Sequence, residues 1–337
     1  VTRLRGIDLD APGRQIGALH LTHSDNRHDN GVVPVPVAVL SGAPGPTALL
    51  VAGTHGDEYE GQVVLHRLLR ETDPERLTGR LVVLPALNLP AVRTASRVSP
   101  LDGGNLNRSY PGNDRGGPTD QIAHALVGEL LPHADLVMDL HSGGSTSHYL
   151  PSVFAYDGPT PEAWQAKRRL TEQMGLPWTM VVPARFEPGS LSTAADDAGV
   201  AMISTELGGG GEVNPAFASD AVHGLRRVLA GAGILPAEPD TPPAPPTRWI
   251  DLLADGAVYT PARGLFEPLA VLGQEVGEGD LVGRVHPVEE LARPSVPVLA
   301  HRAGVVAVVR RPPLVDFGDA LYHLAADRPD PAGAATR

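Results

Sequence analysis

Not one of the 337 residues is cysteine. That absence removes disulfides, thiolate nucleophiles and Cys-ligated zinc together, so any metal site must be built from histidine and carboxylates. Lysine is almost missing too: of 27 basic residues only Lys167 is not an arginine, so a cation needed in a pocket has to be an arginine. No apolar run reaches the roughly 18 residues that a membrane helix requires, and no membrane partner is expected. The opening stretch VTRLRGIDLDAPG lacks an apolar core of signal-peptide length, so a cytoplasmic location is the expectation. The net charge of −12 disfavours a nucleic-acid partner. No internal repeat is evident.

What is present reads as an ordinary globular enzyme, 42% hydrophobic and 20% charged, long enough for one large domain and a small one. The segment 1–45 contains alternating stretches such as VVPVPVAVL (32–40), expected to be edge or lid strands packed on the catalytic domain, since Pro34 and Pro36 cannot donate to a ladder. From 46 to 234 the pattern changes. Apolar runs TALLVAG (47–53), RLVVLPA (80–86), ADLVMDLH (134–141), WTMVV (178–182) and VAMISTEL (200–207) read as buried strands. They alternate with helical stretches at 58–71, 119–131, 160–174, 190–198 and 214–232. This alternation predicts an α/β fold with a mostly parallel sheet flanked by helices. The segment 235–248 holds six prolines and reads as a semi-rigid linker. Residues 249–325, short strands broken by Gly turns, read as an all-β domain, and 326–337 as a disordered tail.

In open α/β sheets ligands bind beyond the carboxyl ends of the strands, and the chemistry-bearing residues cluster there. GTHGDEYEG (53–61) places His55 and Glu58 across a strand end and the first turn of a helix. The third candidate ligand, His141 in DLHSGG (139–144), follows after 82 intervening residues. An isolated His-x-x-Glu arises often by chance; three such groups at Gly-flanked strand ends are more specific. Two imidazoles and one carboxylate leave a fourth tetrahedral position open, as in catalytic zinc, so one Zn²⁺ per chain is expected. Glu206 in STELGGGG (204–211) closes an apolar strand and can serve as general base. The segment SRVSPLDGGNLNRSYPG (96–112) offers Arg97 for a developing oxyanion, and Asn107 with Arg108 to clamp a substrate carboxylate.

These motifs resemble the succinylglutamate desuccinylase and aspartoacylase family, related to zinc carboxypeptidases. The likeness spans about 45–235 by motif, and the linker and β-region continue it in architecture. It implies His55, Glu58 and His141 as zinc ligands, Glu206 as the base, Arg97 as the carbonyl-polarising arginine, and Asn107 with Arg108 as the carboxylate clamp. Within the family, THGDEYEGQ, PALNLPAV, SRVSPLDGGNLNRSYPG and DLHSGG resemble most the subgroup that deacetylates N-α-acetyl-2,4-diaminobutyrate in ectoine breakdown. One departure stands out: where the family often has Asp-x-Asn-Arg, this chain has Asn105. The family's Asp orients a ligand histidine; Asn105 can accept a hydrogen bond but carries no charge, and Asp139, on the same strand face as His141, is an alternative partner.

The expected activity is thus deacylation of a small N-acyl amino acid. An aspartoacylase or desuccinylase specificity is the alternative; it would need a further cation, for which Arg185 in PARFEPGS (183–190) is a candidate. A metallocarboxypeptidase acting on peptides shares the same chemistry. The C-terminal region resembles a lipoyl-type barrel-sandwich, but a lipoyl or biotinyl carrier needs a lysine at a hairpin tip, and none lies in 249–325. A lid or dimerisation role remains for it, and a homodimer stays open. A metal-binding regulator without activity would lack a base, and Glu206 is present.

Overall fold

The computed structural model describes residues 3–26, 28–183 and 187–329. Its centre is the parallel array read from the apolar runs. Strand Ala43–Ala52 pairs in parallel with Thr78–Leu84 on one side and Leu136–His141 on the other, and Leu136–His141 pairs in parallel with Ala201–Glu206. Period-two alternation sends neighbouring residues to opposite cores. Ala48, Leu50, Met138 and Ile203 face the layer of helices Tyr59–Glu71, Pro161–Met174 and Pro215–Gly231, whereas Leu49, Val51, Val137 and Met202 face Pro118–Ala125 and Leu191–Asp197.

Three of the helices begin where the sequence supplies partners for their first free N–H groups. Thr160 accepts from Ala163, Ser190 from Thr193, and Asn214 from Ala216 and Phe217, with Pro161 and Pro215 at the first helical positions. The helix expected over 119–131 is regular only for Pro118–Ala125; Leu126–Leu130 is a π-turn and Leu131–His133 a 3₁₀ turn. Pro132 has no N–H to continue an α-helical ladder. Lys167, the lone lysine, is buried against Asp196 at 2.7 Å.

Outside the centre the sheet is mixed. Gly13–Asp25 and His28–Ser41 form a long antiparallel hairpin whose second strand joins Thr78–Leu84 over residues 38–41. Pro34 and Pro36 pair with His20 and Ala18 on the hairpin side. Both precede residue 38, where pairing with Thr78–Leu84 begins, so each lies where the strand has a partner on one side only.

The C-terminal strands are not detached from this sheet. Arg248–Tyr259 pairs in parallel with Trp178–Val182, and Ala320–Asp327 and Gly304–Arg310 follow antiparallel. A second, four-stranded sheet is built from Gly264–Pro268, Leu281–His286, Val296–Leu299 and Leu314–Val315 over its own core of Val282, Val285, Val298 and Leu321. The final strand runs through Asp327, two residues into the stretch expected as a tail, and Arg328 pairs with Asp251 at 2.7 Å. Ser147–Tyr149 pairs antiparallel with Gly304–Arg310, which fixes the C-terminal strands against the loop after Leu136–His141. Among the described residues no helix is long and apolar enough to cross a membrane.

Candidate metal centre and active site

The strand Ala43–Ala52 ends at a turn that must pass very close to a neighbouring loop. A Cβ on Gly56 would lie 2.0 Å from the carbonyl carbon of Ala91, so only glycine fits, and its N–H donates to Ser96 O at 2.9 Å. This turn delivers His55 and Glu58. Glu58 occupies the position before helix Tyr59–Glu71 and makes no cap bond. Its carboxylate instead bridges two imidazoles, with Oε1 2.6 Å from His55 Nδ1 and Oε2 2.8 Å from His141 Nδ1. Ser142 N–H also donates to Oε2, at 3.2 Å. All three side chains are buried, and one ligand atom from each lies within 4.8 Å of the others.

The opposite ring nitrogens are tied outward. His55 Nε2 meets Asn105 Oδ1 at 3.2 Å, and that same oxygen accepts Asn107 N–H at 3.0 Å, which orients the amide. His141 Nε2 meets Asp139 Oδ2 at 2.9 Å, while Thr54 Oγ1 donates to Asp139 Oδ1 at 3.3 Å. Both partners accept, so with a metal bound each ring would carry its proton on Nε2 and turn Nδ1 to the ion. Asn105 and Asp139 are therefore not alternatives for one post; each serves its own histidine.

Carboxylate and imidazole charges stabilise one another in this cluster. Burial opposes a charged His141, but the Asp139 and Glu58 carboxylates outweigh it and raise the imidazole well above its ordinary value. Burial also opposes ionisation of Glu58, yet His141 and His55 hold it well below the usual carboxylate range. A buried carboxylate between two imidazole nitrogens is a donor set that fits a divalent ion.

Glu206 ends its strand beside His141 in the parallel register. Met202, Ser204 and Glu206 share one strand face, as Asp139 and His141 do on theirs, and all five line one cavity. Burial, then the Glu58 charge, raises the Glu206 carboxyl well above the ordinary range, against the pull of His141 and Arg97; its Oε2 is buried without a hydrogen-bond partner. The run after it adopts positive φ at Gly208 to Gly211, and a Cβ on Gly209 would lie 2.5 Å from Ser147 O. Buried Glu60 accepts the Gly209 N–H at 3.0 Å and so fixes this turn.

The loop 96–112 supplies the next wall. It is fastened by Asp102, which accepts from Thr119 N at 2.8 Å, Thr119 Oγ1 at 2.7 Å and Gly104 N at 3.1 Å. Arg97 reaches to 3.6 Å from Glu58 Oε1 and 3.4 Å from His55 Nδ1, with its side chain 53% exposed. Asn107 is buried and its Oδ1 accepts Leu191 N–H at 3.2 Å, which leaves the amide nitrogen to donate. Arg108 differs from its expected place. Its guanidinium donates to Glu187 Oε1 at 2.5 Å and to Asn107 O at 2.6 Å, and it does not line the cavity. Arg185 lies outside the described residues.

The cavity measures about 390 Å³. Besides the residues above it is lined by Tyr149, Tyr156, Glu187, Ser190 and Ser192, and by Leu252 and His323 from the C-terminal strands. Sequence reasoning passed over these. Glu187 sits in the same PARFEPGS segment as Arg185, but a lone acid in a Pro/Gly loop carries no motif.

Comparison with known proteins shows what the chain is similar to. Residues 44–232 match the model of the succinylglutamate desuccinylase/aspartoacylase catalytic domain. The chain is 35% identical to the N-alpha-acetyl-L-2,4-diaminobutyric acid deacetylase of Halomonas elongata, over 95% of this chain and 93% of that one. Among solved structures it resembles the product-bound ectoine utilization protein EutE (DoeB) of Ruegeria pomeroyi, with TM-score 0.91, 38% identity, and 97% and 99% of the two chains covered. A succinylglutamate desuccinylase/aspartoacylase of Rhodobacter sphaeroides is similar at TM-score 0.89 and 34% identity, covering 97% and 100%.

Proposed function

The chain belongs to the succinylglutamate desuccinylase/aspartoacylase family, and on that premise we propose that it is a zinc-dependent deacetylase that converts N-α-acetyl-L-2,4-diaminobutyrate to acetate and 2,4-diaminobutyrate. The observation that carries this reading is the convergence of His55 Nδ1, His141 Nδ1 and the Glu58 carboxylate beside the unpartnered Glu206 oxygen. The name of the Halomonas elongata relative supports the substrate.

His55, Glu58 and His141 would hold one Zn²⁺, which when bound supplies Lewis acidity for activating water at neutral pH and for polarising the scissile carbonyl. Glu206 takes a proton from water as the water oxygen bonds to the acetyl carbon. Arg97 compensates the negative charge that develops on the carbonyl oxygen. Glu206 then returns the proton to the leaving nitrogen as the C–N bond breaks. Asn107 donates its amide to the substrate carboxylate. Arg108 does not present the bidentate fork expected from sequence, because Glu187 engages it and it does not line the cavity.

An aspartoacylase-like substrate would bring a second carboxylate. Among the described residues the cavity is lined by one guanidinium, Arg97, and by the carboxylates of Glu187 and Glu206 besides those at the metal centre, and an acidic lining of this kind favours a substrate ammonium. Leu252 and His323 bound the cavity on the C-terminal side, which favours a small substrate over a peptide. The test is acetate release by the zinc-loaded protein from N-acetyl-2,4-diaminobutyrate and N-acetylaspartate side by side. The expected kcat/KM ratio favours the diaminobutyrate by at least about 10²; a reversed ratio overturns the substrate and leaves the metal chemistry standing.

A further inference from the structure

Four carboxylates that line the cavity have distinct surroundings. Glu58 is bound to both histidines, Asp139 to His141, and Glu206 adjoins His141 at the end of its strand. Glu187 belongs to none of this. It sits on the segment that leads into helix Leu191–Asp197, and its carbonyl accepts Ser190 N–H at 3.2 Å. That segment is fastened to the loop carrying Asn107: Tyr110 N–H donates to Gly189 O at 3.0 Å, and a Cβ on Gly189 would lie 2.5 Å from Arg108 O.

Two donors from different parts of the fold hold the Glu187 carboxylate in one orientation. Arg108 Nη2 donates to Oε1 at 2.5 Å, and the Tyr156 hydroxyl donates to Oε2 at 2.9 Å. Tyr156 is buried, and burial together with the Glu187 charge pushes its phenol well above the ordinary value, so it stays a donor. Arg108 does not line the cavity, whereas Glu187 does, with 23% of its side chain exposed. Each carboxylate oxygen has about two acceptor sites, and one on each is used, so a face remains for a ligand donor. A pre-oriented carboxylate of this kind binds a cation without reorganising.

We propose that Glu187 is the subsite for the side-chain ammonium of the substrate and sets the preference for a diamino acid over a neutral or acidic one. Tyr156 and Arg108 are positioning residues that act through it. The inference rests on the deacylase reading of the cavity. It explains how a chain with a single lysine and an acidic wall selects a cationic substrate, and it gives the Arg108 pairing a purpose that a carboxylate clamp does not.

The test compares wild type and Glu187→Gln on N-acetyl-2,4-diaminobutyrate and on N-acetyl-2-aminobutyrate, which lacks only the amine. Loss of a charge-assisted contact is expected to lower kcat/KM for the diamino substrate by about 10–10²-fold, mostly through KM. The neutral analogue is expected to change by less than about threefold. Calorimetry with 2,4-diaminobutyrate and 2-aminobutyrate provides a second readout: wild type binds the diamine more tightly, and Glu187→Gln does not. Should Glu187→Gln fail to fold, Glu187→Asp keeps the charge one methylene shorter, and a raised KM for the diamino substrate alone is the expected result. Retention of the wild-type amine preference in these variants overturns the subsite. If wild type releases no acetate from either compound the deacetylase reading falls, while a diamine preference in calorimetry that vanishes in Glu187→Gln still supports the subsite.

Discussion

Replacing Asp139 separates the two tasks that its carboxylate performs. It is 1% exposed, accepts from His141 Nε2 at 2.9 Å and from Thr54 Oγ1 at 3.3 Å, and so fixes both the direction and the tautomer of one candidate ligand. Asp139→Asn keeps the shape and an acceptor for the imidazole but removes the charge, the situation Asn105 already presents to His55. Metal affinity is expected to fall by about tenfold, the low end for an outer partner of a ligand histidine. Asp139→Ala removes the acceptor as well and leaves a buried ring N–H and a buried hydroxyl unpaired. Affinity should then fall by about 10²-fold, and the metal-free protein should lose about 2–6 kcal/mol, since each of the two orphaned groups costs about 1–3 kcal/mol. A chelator-competition titration gives the first quantity and urea unfolding of the metal-free protein the second. Wild-type metal affinity in Asp139→Ala would refute the assignment of His141 as a ligand oriented by Asp139. Equal losses in the Ala and Asn variants would refute the separation of charge from hydrogen bonding.

Glu206→Gln should keep the fold and the metal while kcat falls by about 10²–10⁴-fold with little change in KM; near-normal kcat in steady-state assays would place the base elsewhere. Asp102 predicts a pH effect. Burial raises its carboxyl, but bonds from Thr119 and Gly104 outweigh this and lower it below the ordinary value, so its stabilisation is present above the unfolded value and is lost as pH falls through the folded one. Asp102→Ala should cost about 1–2 kcal/mol at pH 7 and flatten the acid side of the stability profile, as read from urea midpoints between pH 3 and 7.

The catalytic layer was legible because it rests on local signals. The apolar runs at 47–53, 134–141 and 200–207 lie close to the strands Ala43–Ala52, Leu136–His141 and Ala201–Glu206, and the candidate ligands stand at or just beyond their carboxyl ends. What stayed hidden depends on contacts between distant segments. Arg108 meets Glu187 across 79 positions, so a sequence shows an arginine ready for a ligand and not the acid that occupies it. Whether Asn105 faces His55 or His141 is decided by the path of a Gly-rich loop pinned at Asp102 and Thr119. The Pro-rich stretch at 235–248 marks a change of pattern, but nothing in it reveals that Arg248–Tyr259 pairs in register with Trp178–Val182 and extends the main sheet. That continuity brings Leu252 and His323 to the cavity wall.

One divalent ion, held by His55, Glu58 and His141, is expected to be required for hydrolysis. Elemental analysis and acetate release measured on the same preparations of wild type, His55→Ala and His141→Ala test it directly. About one zinc per wild-type chain and the joint loss of metal and turnover in both variants are expected. Full metal content in the variants, or wild-type turnover by metal-free protein, would contradict it.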